Sequence, residues 1–281
     1  MIRLDFKEKY SLSHTFECGQ IFRFRTYDDG ATYYGTLKDH PIKAYQEDER
    51  SIIIESDDEQ AVRPLVERFF RIGDDYLAMQ KSVQIDDLMA EIVETTDGMH
   101  LLMQPKFECS IAYLLSQCSN IPRITQNLTL LAKKFGREVN FDGHTLYTFP
   151  IREDLMHLSE EDFRDFGFGY RAKYIDRFIQ DYPDFLQGEV QDSQMFNKRL
   201  KEIHGIGQKV ADCIQLFAYG DLRLFPVDTW MMKFMKKYYY HGTKKHPVKE
   251  IRELGRKLFG EWAGYAEELI FFYARCFDPT L

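Results

Sequence analysis

An α+β architecture is expected of this chain on three observations. Residues 21–55 hold short stretches of β-branched and aromatic side chains, one of them alternating apolar and basic at period two, as in an antiparallel sheet. From residue 59 onward apolar residues recur at the 3.6-residue spacing of amphipathic helices. Residues 95–105 interrupt that series with Gly98 and Pro105, dividing an N-terminal α+β unit of residues 1–104 from a mostly helical unit of residues 105–281.

The elements follow in order. Ile21, Phe22, Arg23, Phe24 and Arg25 read as a strand, and Asp28, Asp29 and Gly30 as a turn. Residues 31–36, 42–45 and 51–55 continue an antiparallel meander, the last two separated by the charged cluster 46–50. Helices are expected over 59–70, 75–81 and 85–94. Beyond the break they are expected over 107–116, 124–135, 174–185, 195–203, 209–218, 229–239, 248–259 and 263–276. Almost everything after residue 106 reads as helix. There is no fixed-period repeat and no low-complexity segment.

Hydrophobic residues make up 44% and charged residues 29%, a globular balance, and at roughly 150 residues per domain the length suits one large domain or two. The net charge of −8 argues, taken whole, against a nucleic-acid partner. Its distribution says otherwise. Residues 1–104 carry 12 Lys and Arg against 21 Asp and Glu, whereas residues 198–257 carry 14 against 6, a net of +8. Five cysteines without C-x-x-C spacing disfavour a disulfide framework and a zinc or iron–sulfur centre. No apolar run near the start suggests a signal peptide, and residues 269–274 are too short to span a bilayer. The expectation is a soluble protein of a reducing compartment with no membrane partner.

Several catalytic signatures are absent: Walker A, G-x-S-x-G and H-E-x-x-H. Gly167, Gly169 and Ala172 fit a loose dinucleotide fingerprint, but residues 161–165 before them are charged and helical rather than a buried strand. The informative segment runs from Leu200 to Cys213. One helix ends near Ile203, Gly205 and Gly207 turn the chain, and a second helix opens near Gln208. Glycines allow positive φ and close approach, and the free N–H groups of the second helix suit a phosphate. An ordinary helix–turn–helix corner reads the same way. Lys209 sits in the first turn of that helix, where the dipole disfavours a cation and a lowered pKa is expected, as an amine nucleophile requires. Asp228, after Pro226 and Val227, is placed as an N-cap, and capping alone would account for it.

Hairpin, Lys209 and Asp228 together resemble the helix–hairpin–helix superfamily of DNA glycosylases with a Gly/Pro-rich loop and an aspartate (HhH-GPD), and in particular its bifunctional glycosylase/lyase members. Its iron–sulfur branch is disfavoured, because only Cys276 lies in the region that carries the cluster. A closer match covers nearly the whole chain. Gly19-Gln20 with Phe22-Arg23 and Arg25, Asn120 with Arg123 and Thr125, Gly167 to Ala172, and Gly207 to Cys213 recur in this order in 8-oxoguanine DNA glycosylases.

That resemblance implies a TBP-like antiparallel N-terminal sheet, Lys209 as Schiff-base nucleophile and Asp228 as its electrostatic partner. It implies damaged-base contacts from Gly19, whose carbonyl takes an N7–H, and from Cys213, Pro226, Glu267 and Phe271; Cys213 and Phe271 fit core positions equally. It implies DNA contacts from Asn120, Arg123, Tyr170, Arg171, Gly205 and Gly207. Arg123 and Arg171 match readers of the orphaned cytosine, and Tyr170 matches a wedge into the stack.

Three positions depart from the family. Cys118-Ser119-Asn120 stands where an asparagine run fills the hole left by the flipped base, Trp230 where a histidine contacts phosphate, and Glu267 where a glutamine reads the base edge. A carboxylate there accepts from the lactam N–H groups but cannot donate to O6. The resemblance implies no required cofactor, with one monovalent or divalent ion on the hairpin carbonyls of Lys201, Ile203 and Ile206. It implies a monomer acting on double-stranded DNA that contains 8-oxoguanine, preferentially opposite cytosine. Its location would be cytoplasmic, nucleoid-associated in a bacterium, or nuclear. Two other readings remain open: a glycosylase/lyase of the same fold for another oxidised base, and a non-catalytic hairpin DNA-binding module.

Overall fold

The computed structural model describes residues 1–27 and 30–281, so most of the expected turn at Asp28, Asp29 and Gly30 lies outside the described residues. The N-terminal sheet has five antiparallel strands: β1 (Ile2–Asp5), β2 (Arg25–Thr26), β3 (Tyr33–Leu37), β4 (His40–Asp48) and β5 (Ser51–Glu55), ordered β1-β5-β4-β3-β2. Ile2 pairs with Ile54, and Ile54 with Ala44, so one apolar row crosses three strands. Helix α1 (Leu12–Glu17) and α2 (Glu59–Phe69), capped by Asp58, accompany it. Ile2, Leu4, Ile42, Ile52 and Ile54 bury themselves with Val62, Val66 and Phe69 of α2 as a first core.

The strand expected over residues 21–25 shrinks to Arg25 and Thr26. Alternation fails there because Ile21 enters the first core while Phe22 enters the second. Arg23 is also drawn inward, to Glu108 at 2.6 and 2.9 Å and to the Tyr147 carbonyl at 3.0 Å. The segment links the two cores instead of pairing along the sheet.

The second core is helical. Asp75 and Asp86 cap α3 (Tyr76–Val83) and α4 (Asp87–Thr95), then come α5 (Lys106–Leu115) and α6 (Ile121–Phe135), the last capped by Asn120. The expectation that almost everything after residue 106 is helix has one exception. Residues 138–147 form a hairpin of β6 (Glu138–Phe141) and β7 (His144–Tyr147), turned by Asp142 and Gly143 at φ +50° and +79°. Asp-Gly is the sequence that a two-residue turn with both φ positive requires. Four short or medium helices follow: α7 (Arg152–Leu155), α8 (Glu160–Asp165), α9 (Ala172–Asp181) and α10 (Ser193–Leu200). The last four are α11 (Gln208–Tyr219), α12 (Thr229–Tyr238), α13 (Val248–Phe259) and α14 (Ala263–Cys276). Met79, Met89 and Ile92 of α3 and α4 are buried in this helical core with Ala266, Leu269 and Ile270 of α14, although they precede residue 104. No described helix is long and apolar enough to cross a membrane.

Candidate active site

The α10–α11 hairpin is built as its glycines suggest, with one difference. Gly205 adopts φ +89°, and a methyl on it would lie 2.4 Å from the Tyr174 ring, so both the conformation and the space exclude other residues. Gly207 does not need positive φ; it sits at φ −85° as the N-cap of α11, makes no side-chain cap bond, and faces open space. Its lack of a side chain leaves the first N–H groups of α11 open to an anion. A buried network holds the two helices. Gln208 donates to Asn197 Oδ1 at 2.8 Å and to Asp212 Oδ1 at 2.9 Å, Asn197 donates to Asp212, and Arg252 of α13 closes on Asp212 at 2.5 and 2.9 Å.

In the first turn of α11, Lys209 opens on a cavity of about 330 Å³ between α5, α6, α11, α12 and α14. Gly19, Asn120, Cys213, Asp228, Glu267 and Phe271 share its wall with Lys209. Lys209 Nζ donates to Ser116 Oγ at 3.2 Å and lies 5.2 Å from the centre of the Tyr113 ring. The expected lowering of its pKa is not found. Burial pulls the ammonium down, but Cys213, Asp228 and Glu267 favour the charged form and the net displacement is upward. The side chains that the fold gathers around the amine outweigh its burial.

Asp228 caps α12 as expected, accepting from the Met231 N–H at 2.8 Å. Burial raises its pKa, against the opposing pull of the Met231 amide, Lys209 and the Trp230 amide. Burial pushes the Cys213 thiol up as well. Gly19 lies at φ +112°, and a methyl on it would come within 2.9 Å of Ile121 and 3.0 Å of the Phe271 ring. Arg275 of α14 ties down the chain before it, donating to the carbonyls of Glu17 at 2.6 Å and Cys18 at 2.8 Å.

Glu267 differs from its expected chemistry. It is 5% exposed, and burial, then Glu268 and Asp228, lift its pKa well above the carboxylate range. A protonated carboxyl donates one hydrogen bond, so donation to O6 is open to it after all. Pro226 is buried between Phe225 and Val227 and is not on the cavity wall, because Phe225 is turned against Phe259 and Gly255.

The expected DNA contacts lie around the mouth. Asn120 caps α6, accepting from the Arg123 N–H at 3.0 Å. Arg123 is exposed and donates to the Gly167 carbonyl at 3.2 Å. Tyr170 is 45% exposed, its hydroxyl donating to the Gln117 carbonyl at 3.1 Å. Arg171 is buried, with its guanidinium on the carbonyls of Gln117 and Cys118. Cys118 is exposed at φ +46°, and Trp230 lines the cavity. The sequence reading missed Tyr113, Ser116, Glu268 and Arg275, all on this wall. Only Glu268, a second charge in an apolar helix, carried a signal.

Residues 111–261 match the model of the HhH-GPD superfamily of base excision DNA repair proteins, and the chain belongs to that superfamily. Residues 3–109 match the N-terminal domain of 8-oxoguanine DNA glycosylase. The chain is 30% identical to the N-glycosylase/DNA lyase OGG1 of Arabidopsis thaliana over 93% of its own length and 76% of that protein's. It is 27% identical to the N-glycosylase/DNA lyase of Saccharomyces cerevisiae, over 92% and 81% respectively. The Clostridium acetobutylicum 8-oxoguanine glycosylase/lyase, solved with double-stranded DNA carrying cytosine opposite 8-oxoG, superposes with a TM-score of 0.89 at 27% identity, over 98% of each chain.

Proposed function

We propose that this protein is a bifunctional DNA glycosylase and abasic-site lyase that removes 8-oxoguanine, preferentially opposite cytosine, in base excision repair. The observation that carries the reading is the convergence of Lys209 and Asp228 on the cavity bounded by Gly19, Cys213 and Phe271. The relatives named for this activity support the substrate.

A damaged base must leave the stack to enter such a cavity. There Gly19, Cys213, Phe271 and Glu267 receive it, with Pro226 supporting the wall from behind. Lys209 transfers a proton to the departing base and attacks C1′ with the lone pair this frees; the C1′–N bond breaks and its electron pair leaves with the base. Asp228 faces the positive charge that builds on the sugar. The C1′–O4′ bond then opens, an amine proton passing to O4′, to give the Schiff base. Loss of its C2′ proton breaks the C3′–O bond, the 3′ phosphate leaves with that electron pair, and the strand is nicked.

Gly205 and Gly207 present the α11 amides to phosphate, Tyr170 enters the stack, and Asn120 stands beside the space left by the base. Arg123, exposed and held by a bond to the Gly167 carbonyl, exchanges that partner to read the orphaned cytosine. Arg171 reaches it by exchanging the carbonyls it now holds. The Lys201 and Ile206 carbonyls accept no backbone hydrogen bond and that of Ile203 accepts one, from the Ile206 N–H at 3.0 Å. An all-oxygen set of this kind fits a hard monovalent or divalent cation, which would add positive charge beside the DNA phosphate. No other cofactor is called for. The working form is a monomer on double-stranded DNA, in the cytoplasm, at the nucleoid or in the nucleus.

Borohydride trapping on an 8-oxoguanine·cytosine duplex tests the chemistry. A covalent adduct is expected from the wild type and none from Lys209→Gln; an undiminished adduct from the variant would refute it. Equal excision opposite cytosine and adenine would refute the Arg123 assignment.

A further inference from the structure

Glu267 and Glu268 stand next to each other on α14, and both line the cavity although they are only 5% and 4% exposed. Helical neighbours point about 100° apart, so the cavity must wrap that edge of α14 to meet both. Glu268 Oε1 is buried and has no hydrogen-bond partner among the described residues, although the Cys18 thiol is hydrogen-bonded to the same carboxyl group. A buried acceptor left unpaired is costly, and alanine would fit the same helix without that cost.

The groups facing Glu268 come from four elements and one loop. Cys18 approaches from the chain after α1, Tyr113 from α5, Lys209 from α11, Asp228 from the start of α12, and Arg275 from α14 itself. Burial, the largest influence, pushes Glu268 up to about 7, with Cys18, Arg275 and Lys209 opposing it. Burial, with Glu268 and Asp228 adding to it, also holds Glu267 well above the carboxylate range.

A carboxylic acid beside a carboxylate offers one O–H donor and several acceptor lone pairs. A guanine lactam edge is its complement: O6 accepts, while N1–H and N2–H donate. A single amide would present the same pattern from one side chain.

We propose that Glu268 is a base-reading residue, whose unpartnered oxygen accepts an N–H from the lactam edge of the flipped purine while Glu267 donates to O6. The inference rests on the assignment of an 8-oxoguanine-type substrate. It divides between two glutamates what one glutamine would do.

The test compares single-turnover excision from an 8-oxoguanine·cytosine duplex with cleavage of a preformed abasic site. Both require Lys209 and Asp228, but only the first has a base to read. Glu268→Ala is expected to lower the ratio of excision to abasic-site cleavage at least about tenfold, the effect of losing a hydrogen bond to a charged group. Wild-type excision, but not abasic-site cleavage, should show a pH limb near the Glu268 value of about 7 that disappears in Glu268→Gln. An unchanged ratio in Glu268→Ala, or the same limb in Glu268→Gln, overturns the proposal alone. A wild type that cleaves abasic sites but leaves 8-oxoguanine in place overturns the substrate assignment and this inference with it.

Discussion

Gly19 and Phe271 are packed so closely that a methyl on the glycine would lie 3.0 Å from the ring, with Ile121 nearer still at 2.9 Å. The two residues come from opposite ends of the chain and form adjoining parts of one cavity wall. At φ +112° the glycine also occupies a conformation that costs an L-residue about 1–3 kcal/mol. Gly19→Ala should therefore displace Phe271, lower the melting temperature by a few degrees, and reduce 8-oxoguanine excision more than abasic-site cleavage. Excision kinetics and calorimetry on the one variant check both parts.

Asp228 performs a structural and a chemical task, and two substitutions separate them. Asparagine keeps an oxygen for the Met231 N–H and so keeps the cap; alanine loses it, at about 1 kcal/mol. Both remove the charge that faces the sugar. Asp228→Asn should unfold like the wild type while losing excision on the order of a hundredfold or more. Asp228→Ala should lose both activity and stability. Comparable activity in Asp228→Asn and the wild type would remove the electrostatic role.

Local signals in the sequence served well where they acted locally. Asp228 before an apolar helix is a cap, and the periodicity of residues 248–259 and 263–276 marks α13 and α14 to the residue. The missed elements are short: β1 has four residues, and β6 and β7, four residues each, lie between the helices expected over 124–135 and 174–185, where no strand is expected. The site was legible in its residue types and opaque in its electrostatics. The helix position of Lys209 suggests a lowered pKa and its burial acts in that direction, yet Cys213 and Asp228 reverse the sign. Glu267 changes from acceptor to donor because the fold buries it beside Glu268. Neither effect exists until distant segments meet.

His100 should make the fold acid-sensitive. It is fully buried, stacked 3.6 Å from Tyr76, and neither ring nitrogen has a hydrogen-bond partner among the described residues. Burial lowers its pKa from 6.5 to about 3. The unfolded chain therefore binds a proton that the folded chain refuses, and stability falls as pH drops from 6.5 towards 3, by an amount on the order of a few kcal/mol. Glu8, 3.7 Å away and raised by its own burial, acts in the opposite sense above its ordinary value. Denaturant titrations across this range should show His100→Phe losing less stability with acid than the wild type. Parallel curves would exclude His100 as the cause.

The two hairpin glycines should fail in different ways. Gly205→Ala places a methyl 2.4 Å from Tyr174 at φ +89°, so the turn must distort; lower stability and weaker DNA binding are expected together. Gly207→Ala meets no atom within 4 Å, and its backbone angles suit any residue. It should fold normally, but its methyl stands where the α11 amides would meet a phosphate. Duplex affinity should fall several-fold without a change in melting temperature, and since the contact is to backbone, undamaged and damaged duplexes should weaken alike. The background affinity itself should be low and steeply salt-dependent, because a chain of net charge −8 presents only local positive charge to DNA. Fluorescence anisotropy over a salt series, with melting curves of both variants, tests the whole set. A Gly207→Ala protein that binds as tightly as the wild type would remove the α11 N-terminus from the interface.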